Sequence, residues 1–164
     1  MYKRILLAYD GTLEGRTALR EGALLAKRCD AQVYLLSVIV ETPGVRMARI
    51  EAGPFTQSED GYQEILADGV ARLQKLGFAP IARLAAGDPP QVIGAYAKQI
   101  NAELVVVGHR KQGALERWWS GPSGAYLIDY VPCSLLVSRN VISEADFAAE
   151  LRRIEEGAAR AKSE

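Results

Sequence analysis

The sequence is short of the residues and segments that several functional classes require. A single histidine, His109, leaves no set of imidazoles for a metal centre, and Cys29 and Cys133 lack the spacing of a zinc or redox site. The amino terminus enters an apolar run of only a few residues, which is too short for a signal-peptide core and far too short to span a bilayer. Twenty basic and twenty acidic side chains give a formal net charge of zero. From the short apolar run we expect a cytoplasmic protein. The balanced charge predicts binding to neither nucleic acid nor a membrane. We expect the two cysteines to be small buried hydrophobes.

Two common phosphate-binding motifs are missing as well. No G-x-x-x-x-G-K-[ST] occurs, which excludes a P-loop, and no G-x-G-x-x-G follows the first apolar run, which argues against the usual dinucleotide fold. The first turn, Tyr9 to Thr12, also lacks the Ser-Gly-Gly start of ATP pyrophosphatases. Any phosphate site must therefore lie elsewhere in the chain.

The apolar pattern alternates between short runs and helical periods, in a chain with the size of one domain. Strands are predicted at Ile5 to Tyr9, Gln32 to Val40, Ala79 to Ala85 (an edge), Leu104 to Val107 and Cys133 to Val137. Helices are predicted from Thr12 to Asp30, from Ser58 to Gly77, from Asp88 with a capping box at Gln91, and from Ala125 to Val131. This alternation predicts an α/β fold whose open parallel sheet is covered by helices on both faces.

Two segments do not fit this alternation. Residues Glu41 to Gln57 show no sustained period and predict a long excursion, which we interpret as a lid over the carboxyl edge of the sheet. After a domain of residues 1–139, the C-terminal extension of residues 140–164 predicts a helix capped at Ser143. The apolar positions of that helix are Phe147, Leu151, Ile154, Ala158 and Ala161. Its apolar stripe packs either on its own domain or against a second subunit.

The most informative stretch follows the fourth predicted strand. The apolar run ends at Gly108, a basic cluster of His109, Arg110 and Lys111 comes next, and residues 120–124 then read Ser-Gly-Pro-Ser-Gly. In an open parallel sheet, ligands bind beyond the carboxyl ends of the strands, and a helix N-terminus attracts anions. We therefore expect this loop to bind a phosphate group.

Four segments in this order carry a family resemblance: ILLAYDGT, LLSVI, GDPPQVIGAYA and VVVGHRKQGALERWWSGPSGAYLIDYVPCSLLV. Over about residues 3–138 the chain resembles the universal stress protein family. The resemblance implies a Rossmann-like fold of the adenine nucleotide alpha hydrolase-like type, with a five-stranded parallel sheet in the order 3-2-1-4-5. It also implies a homodimer, a role in the stress response, and binding of ATP or AMP, with or without Mg²⁺.

The nucleotide motif of that family is Gly, two residues, Gly, nine residues, Gly, and then Ser or Thr. Gly108 and Gly121 match the first and third glycines, whereas Lys111 and Pro122 stand at the other two positions. Lys111 gives up the close backbone approach of glycine but offers an ammonium group, and Pro122 contributes no N–H. The loop has therefore exchanged backbone donors for side-chain cations, with Arg110 suited to forked contact with phosphate.

The resemblance also implies roles for two residues outside this loop. Asp10, at the end of the first strand, faces the adenine and ribose, and the backbone of Val38 meets the adenine. Each has a purely structural alternative, because Asp10 can order its turn and Val38 can belong to the core. The predicted nucleotide site consists of Asp10, Val38, Gly108, Arg110, Lys111, Gly121 and Ser123.

Three functions remain open at this point. The first is a non-catalytic regulator that binds an adenine nucleotide, and the second is an interaction module without a cofactor, in which Lys111 and Pro122 have abolished nucleotide binding. An enzyme is the weakest reading, because no general base, metal-binding carboxylate pair or activated nucleophile stands out. In the first two cases we expect a homodimer through the last strand, Cys133 to Val137, since an uncovered edge strand exposes unpaired backbone groups.

Overall fold

The computed structural model describes residues 1–41, 59–109, 127–139 and 142–161. In chain order the elements are β1 (Arg4–Ala8), α1 (Leu13–Cys29), β2 (Gln32–Val40), α2 (Glu59–Lys75), β3 (Ile81–Gly87), α3 (Pro89–Gln99), β4 (Leu104–Gly108), α4 (Leu127–Tyr130), β5 (Ser134–Ser138) and α5 (Glu144–Ala161). The strands pair in parallel in the order β3-β2-β1-β4-β5. The predicted α/β fold and strand order are therefore confirmed.

The middle of the central strand β1, residues Ile5 to Leu7, is entirely apolar because both faces of the sheet are covered there. Successive side chains of a strand point to opposite faces, so the neighbours Leu6 and Leu7 enter different cores. Leu7 lies in the core under α1 and α2, whereas Leu6 lies in the core under α3 and α4. Both leucines are fully buried. This two-sided burial is typical of parallel sheets and explains why β1 shows no alternation of apolar and polar residues.

Helix ends follow the expected residues with one exception. Thr12 caps α1, and Asp30 ends it in the left-handed conformation with φ of 50°. Asp88 occupies the cap position of α3, but its side chain makes no capping hydrogen bond. The capping box predicted at Asp88 and Gln91 is therefore wrong. Pro90 removes the N–H of the second helical position, one of the two donors that a capping side chain can use, and the remaining donor, the Gln91 N–H, does not bond to the Asp88 side chain.

Several predicted boundaries shift or fall outside the described residues. β3 begins at Ile81, β5 runs from Ser134 to Ser138, and helical structure is described over 127–130 within the predicted 125–131. The predicted lid, apart from its first residue, and the cap at Ser58 lie outside the described residues.

The edge strands and the cysteines are more exposed than the centre of the sheet. Ile81 of the edge strand β3 is 48% exposed, as expected for its position. Cys29 and Cys133 are free and half-buried, so their predicted full burial is wrong. Cys29 is the last residue of α1 and Cys133 stands immediately before β5. Both therefore lie where the chain leaves the core.

The C-terminal helix α5 begins at the predicted cap. The Ser143 hydroxyl donates to the Asp146 carboxylate at 2.7 Å and accepts from the Asp146 N–H at 3.1 Å. Phe147, in the first turn, is only 7% exposed. The Arg20 guanidinium of α1 lies 5.7 Å from the centre of its ring. The first part of the stripe therefore packs on its own domain.

Ion pairs continue this contact along α1. Arg20 pairs with Glu144, Arg28 pairs with Glu150, and Lys27 lies 3.7 Å from Glu155. Exposed pairs of this kind contribute little individually, on the order of 0–1 kcal/mol each. Because the partners on α5 advance in the same sequence direction as those on α1, the two helices run roughly parallel, with Phe147 as the apolar anchor.

Candidate functional site

The site expected of this fold lies where β1 and β4 end side by side. β1 connects through α1 to β2 on one side, whereas β4 leads to β5 on the other, so the chain leaves the two strands in opposite directions. In open α/β sheets this switch point is where ligands bind. Asp10 lies two residues beyond the end of β1, and Gly108 is the last residue of β4.

Strand register brings three of the predicted site residues to one edge. Ala8 pairs with Leu36, so the parallel register places Asp10 level with Val38. Val38 is half-buried, packs against the core under α3 and pairs with Ala85 of β3. Gly108 ends the strand on the other side of β1. Arg110, Lys111, Gly121 and Ser123 lie outside the described residues.

The carboxylate of Asp10 orders the turn into α1. Its Oδ1 accepts from the Thr12 N–H at 3.0 Å and from the Thr12 hydroxyl at 2.5 Å. The same Thr12 oxygen accepts from the Gly15 N–H at 3.0 Å and so caps the helix. Gly11 has a φ of 76°, a left-handed conformation that glycine adopts without strain. We call residues Asp10 to Gly15 the Asp10 turn.

Gly108 is required by the packing of α1 on β4. A Cβ at this position would lie 2.6 Å from the backbone carbon and oxygen of Glu14 and 2.9 Å from the Gly15 nitrogen. Those atoms belong to the first turn of α1 and cannot move aside as a flexible side chain would. The glycine that sequence reasoning assigned to phosphate contact therefore also has a role in the fold.

Tyr9 is a site residue that the sequence pattern indicates only as the end of a strand. Its side chain is 3% exposed, and its hydroxyl donates to the Asp68 carboxylate of α2. Arg72 Nε donates to the same carboxylate at 2.8 Å. Burial, followed by the hydrogen bond to Asp68, raises the pKa of Tyr9, while the hydrogen bond from Arg72 lowers the pKa of Asp68. A buried tyrosine needs a partner for its hydroxyl, which was the one available signal.

The backbone of Tyr9 is also fixed on both sides. Its N–H donates to the Leu36 carbonyl at 2.9 Å, and its carbonyl accepts from the Ser37 hydroxyl at 2.8 Å. Ser37 is 1% exposed, so this hydrogen bond is shielded from water. Tyr9 therefore connects β1, β2 and α2 immediately before Asp10.

The end of β5 adds a buried hydroxyl next to this edge. Ser138 pairs in register with Gly108, and its carbonyl accepts from the His109 N–H at 3.0 Å. Its side chain is 3% exposed, and Oγ has no hydrogen-bond partner within the part of the chain that the structure describes. A buried hydroxyl without a partner is costly and calls for an explanation.

In residues 1–41, 59–109, 127–139 and 142–161, no three His, Cys, Asp or Glu residues stand close enough together to hold a metal ion. Among the helices of these same ranges, none has the length and apolar character needed to cross a membrane.

Comparison with known proteins gives a consistent result. The model of the universal stress protein family matches residues 1–139. A Staphylococcus aureus (strain USA300) protein named as a universal stress protein is 29% identical over 153 residues, which cover 92% of each chain.

Solved structures show the same fold. The universal stress protein from Archaeoglobus fulgidus in complex with dAMP superposes with a TM-score of 0.61 at 19% identity, covering 84% of this chain and 98% of that one. A universal stress protein family protein from Arabidopsis thaliana with AMP bound gives a TM-score of 0.59 at 20% identity, covering 89% and 98%.

Proposed function

The chain belongs to the universal stress protein family, and from this premise we propose that it is a non-catalytic, adenine-nucleotide-binding regulator of the cytoplasmic stress response. The observation that carries the proposal is the meeting of Asp10, Val38 and Gly108 at the switch point of the sheet. Two relatives with the same fold are described with AMP and dAMP bound, which supports the same class of ligand here.

The geometry of the Asp10 turn suits the nucleoside part of such a ligand. Both hydrogen bonds from Thr12 end on Oδ1, so Oδ2 is the oxygen we assign to a ribose hydroxyl. The backbone of Val38, level with Asp10, would meet the adenine. Arg110 and Lys111 would hold the phosphates of ATP or AMP by charge, with Mg²⁺ as an optional bridge between phosphate oxygens.

We assign the remaining motif residues to the same phosphates. Gly121 would admit a phosphate close to its backbone, and the hydroxyl of Ser123 would donate to it. We expect no turnover, because Thr12 occupies Oδ1 of Asp10 and the assigned ribose contact occupies Oδ2, so this carboxylate is not directed at the phosphates as a general base.

A second candidate is an interaction module that binds no nucleotide. Two observations favour it, because Asp10 and Gly108 both have a complete role in the fold: the first orders the start of α1 and the second admits the backbone of Glu14. Lys111 and Pro122 would then be the changes that ended binding.

Binding of a fluorescent ATP analogue to freshly purified protein separates the two candidates. We expect micromolar affinity that falls at least tenfold in Lys111→Ala or Arg110→Ala, which is about 1.4 kcal/mol per contact. Arg153→Ala is the matched control, since that side chain is 79% exposed on α5. No binding at millimolar nucleotide would favour the second candidate. The double change Lys111→Gly with Pro122→Ser should tighten binding, and unchanged affinity would contradict the assignment of the loop.

We further propose that the protein is a homodimer, formed by its domain of residues 1–139 through β5. Leu135 and Val137 of this edge strand are half-buried in the core under α3 and α4, and β5 pairs with β4 on one side. A partner strand would cover its other side. Light scattering at micromolar concentration should give twice the chain mass, and a mass of 17.8 kDa would refute the dimer.

A further inference from the structure

We propose that Tyr9 is a positioning residue: it couples α2 to the Asp10 turn through its hydrogen bond to Asp68, and this coupling sets the affinity for nucleotide. The part of the proposal that concerns affinity rests on the proposed function. The part that concerns the turn stands on the geometry alone.

Helix α2 touches the end of β1 at three successive points. The side chain of Ile65 packs under Gly11, where a Cβ would lie 3.2 Å from its Cγ1. One turn further along, Asp68 accepts from the Tyr9 hydroxyl. Gly69 leaves room for the Tyr9 ring, because a Cβ there would lie 2.7 Å from Cδ1 of that ring. The helix therefore supports both residues that flank Asp10.

Of these three contacts, only the one at Asp68 is directional. Packing of Ile65 and Gly69 fixes distances, but a hydrogen bond to a charged acceptor also fixes orientation. Asp68 is itself held at 2.8 Å by Arg72, one helical turn further on. The tyrosine hydroxyl is thus bonded to an acceptor that cannot turn away freely.

Orientation of Tyr9 is transmitted to Asp10 because the two residues share a peptide unit. The Tyr9 carbonyl is held by Ser37 at 2.8 Å, and the Asp10 carboxylate holds Thr12 two residues later. A rotation at Tyr9 would therefore displace the Asp10 carboxylate and loosen the hydrogen bond that it accepts from the Thr12 N–H.

Amide hydrogen exchange of ligand-free Tyr9→Phe tests the first part. Phenylalanine keeps the ring and its packing but removes the hydroxyl. We expect the Thr12 and Gly15 amides to exchange about threefold to tenfold faster, the range for losing one hydrogen bond to a partly exposed carboxylate. The Val106 amide, in the central strand β4, reports global opening, and its rate is the reference for the other two.

A matched variant on the opposite face controls for the chemical change. Tyr96 is also buried, at 7% exposed, but it lies in the core under α3. Tyr96→Phe should leave the Thr12 and Gly15 rates unchanged relative to Val106. Asp68→Ala removes the acceptor instead of the donor, and it should reproduce the effect of Tyr9→Phe.

Nucleotide binding then tests the second part through a double-mutant cycle. Tyr9→Phe should weaken binding about threefold to tenfold, matching the exchange effect. In an Asp10→Ala background, which removes the carboxylate altogether, the same change should have no further effect, because Tyr9 acts through Asp10. Equal losses in both backgrounds would overturn the positioning role.

The two measurements fail separately. Unchanged Thr12 and Gly15 exchange in Tyr9→Phe overturns the coupling to the turn, and faster exchange with unchanged affinity overturns its link to binding. If the wild-type protein binds no nucleotide, the proposed function fails, whereas the exchange rates still decide whether Tyr9 holds the turn.

Discussion

Replacing Gly108 with alanine tests whether the first turn of α1 needs this glycine for packing. The added methyl group would stand 2.6 Å from the carbonyl carbon and oxygen of Glu14. Ordinary contacts between carbon atoms are about 3.5–4.0 Å, so the methyl group overlaps by roughly 1 Å. Either α1 moves away from β4 or the end of β4 bends.

The expected cost follows from the kind of atom that is displaced. Overpacking of a core costs about 1–3 kcal/mol, and the upper end applies where backbone has to move. We therefore expect Gly108→Ala to lower the free energy of unfolding by about 2–3 kcal/mol. For a chain of this length that corresponds to a decrease of roughly 5–10 °C in Tm.

Thermal unfolding followed by circular dichroism measures this effect, with Gly157→Ala as the matched control. Nothing lies within 4 Å of a Cβ built at Gly157, which is in the exposed part of α5. Alanine in an exposed helix is better than glycine by about 0.5–1 kcal/mol, so the control should be neutral or slightly stabilising.

A Gly108→Ala protein as stable as the wild type would refute the reasoning. It would mean that the ends of α1 and β4 are not in close contact in solution. Equal destabilisation of Gly108→Ala and Gly157→Ala would also contradict the reasoning. The loss of stability would then come from replacing any glycine and not from contact with the backbone of Glu14.

Three further predictions concern other parts of the structure. Ser138→Ala removes the buried hydroxyl that lacks a hydrogen-bond partner among the described residues. It should raise Tm by about 2–4 °C, which corresponds to about 1 kcal/mol of unfolding free energy. A lower Tm would show that the hydroxyl has a hydrogen-bond partner. Phe147→Ala removes the apolar anchor of α5, so amide exchange should accelerate throughout α5 while β4 stays protected. Unchanged exchange would show that the ion pairs with α1 are sufficient to hold α5 in place. Arg72, and then the Tyr9 hydroxyl, lower the pKa of Asp68. A carboxyl whose folded pKa is lowered stabilises the protein fully above its unfolded pKa, about 4, and this contribution is lost as pH falls through the folded value. Asp68→Asn should therefore reduce the fall of Tm below about pH 4, and a fall as steep as that of the wild type would contradict the assignment.

Local sequence signals predicted most of the secondary structure because those signals are themselves local. The pattern predicts the second strand at its observed bounds, Gln32–Val40, because a β-branched run there follows the end of a helix. The cap at Ser143 was equally visible, because its partner Asp146 is three residues away. The strand order, by contrast, came from the family resemblance and not from periodicity.

The contacts that build the candidate site could not be predicted in the same way. Asp68 is 59 residues from the tyrosine hydroxyl that it accepts from, and no spacing rule links them. The family motif identifies Gly108, but the close approach of this glycine to Glu14 depends on how a helix packs across a strand from a distant part of the chain. Such distances are set by tertiary packing and become visible only in three dimensions.

The placement of Leu6 and Leu7 in two different cores has a consequence for how this sequence can diverge. β1 has a strand on each edge and a helical layer on each face, so the side chains of Ile5, Leu6 and Leu7 meet no solvent. A change of volume at any of these three residues must be absorbed inside a packed core, on one face of the sheet or the other. β3 lies at the edge, with Ile81, Ala82 and Arg83 exposed, and changes there meet water instead. Among relatives of this chain, substitutions should therefore accumulate in β3 well before they reach β1.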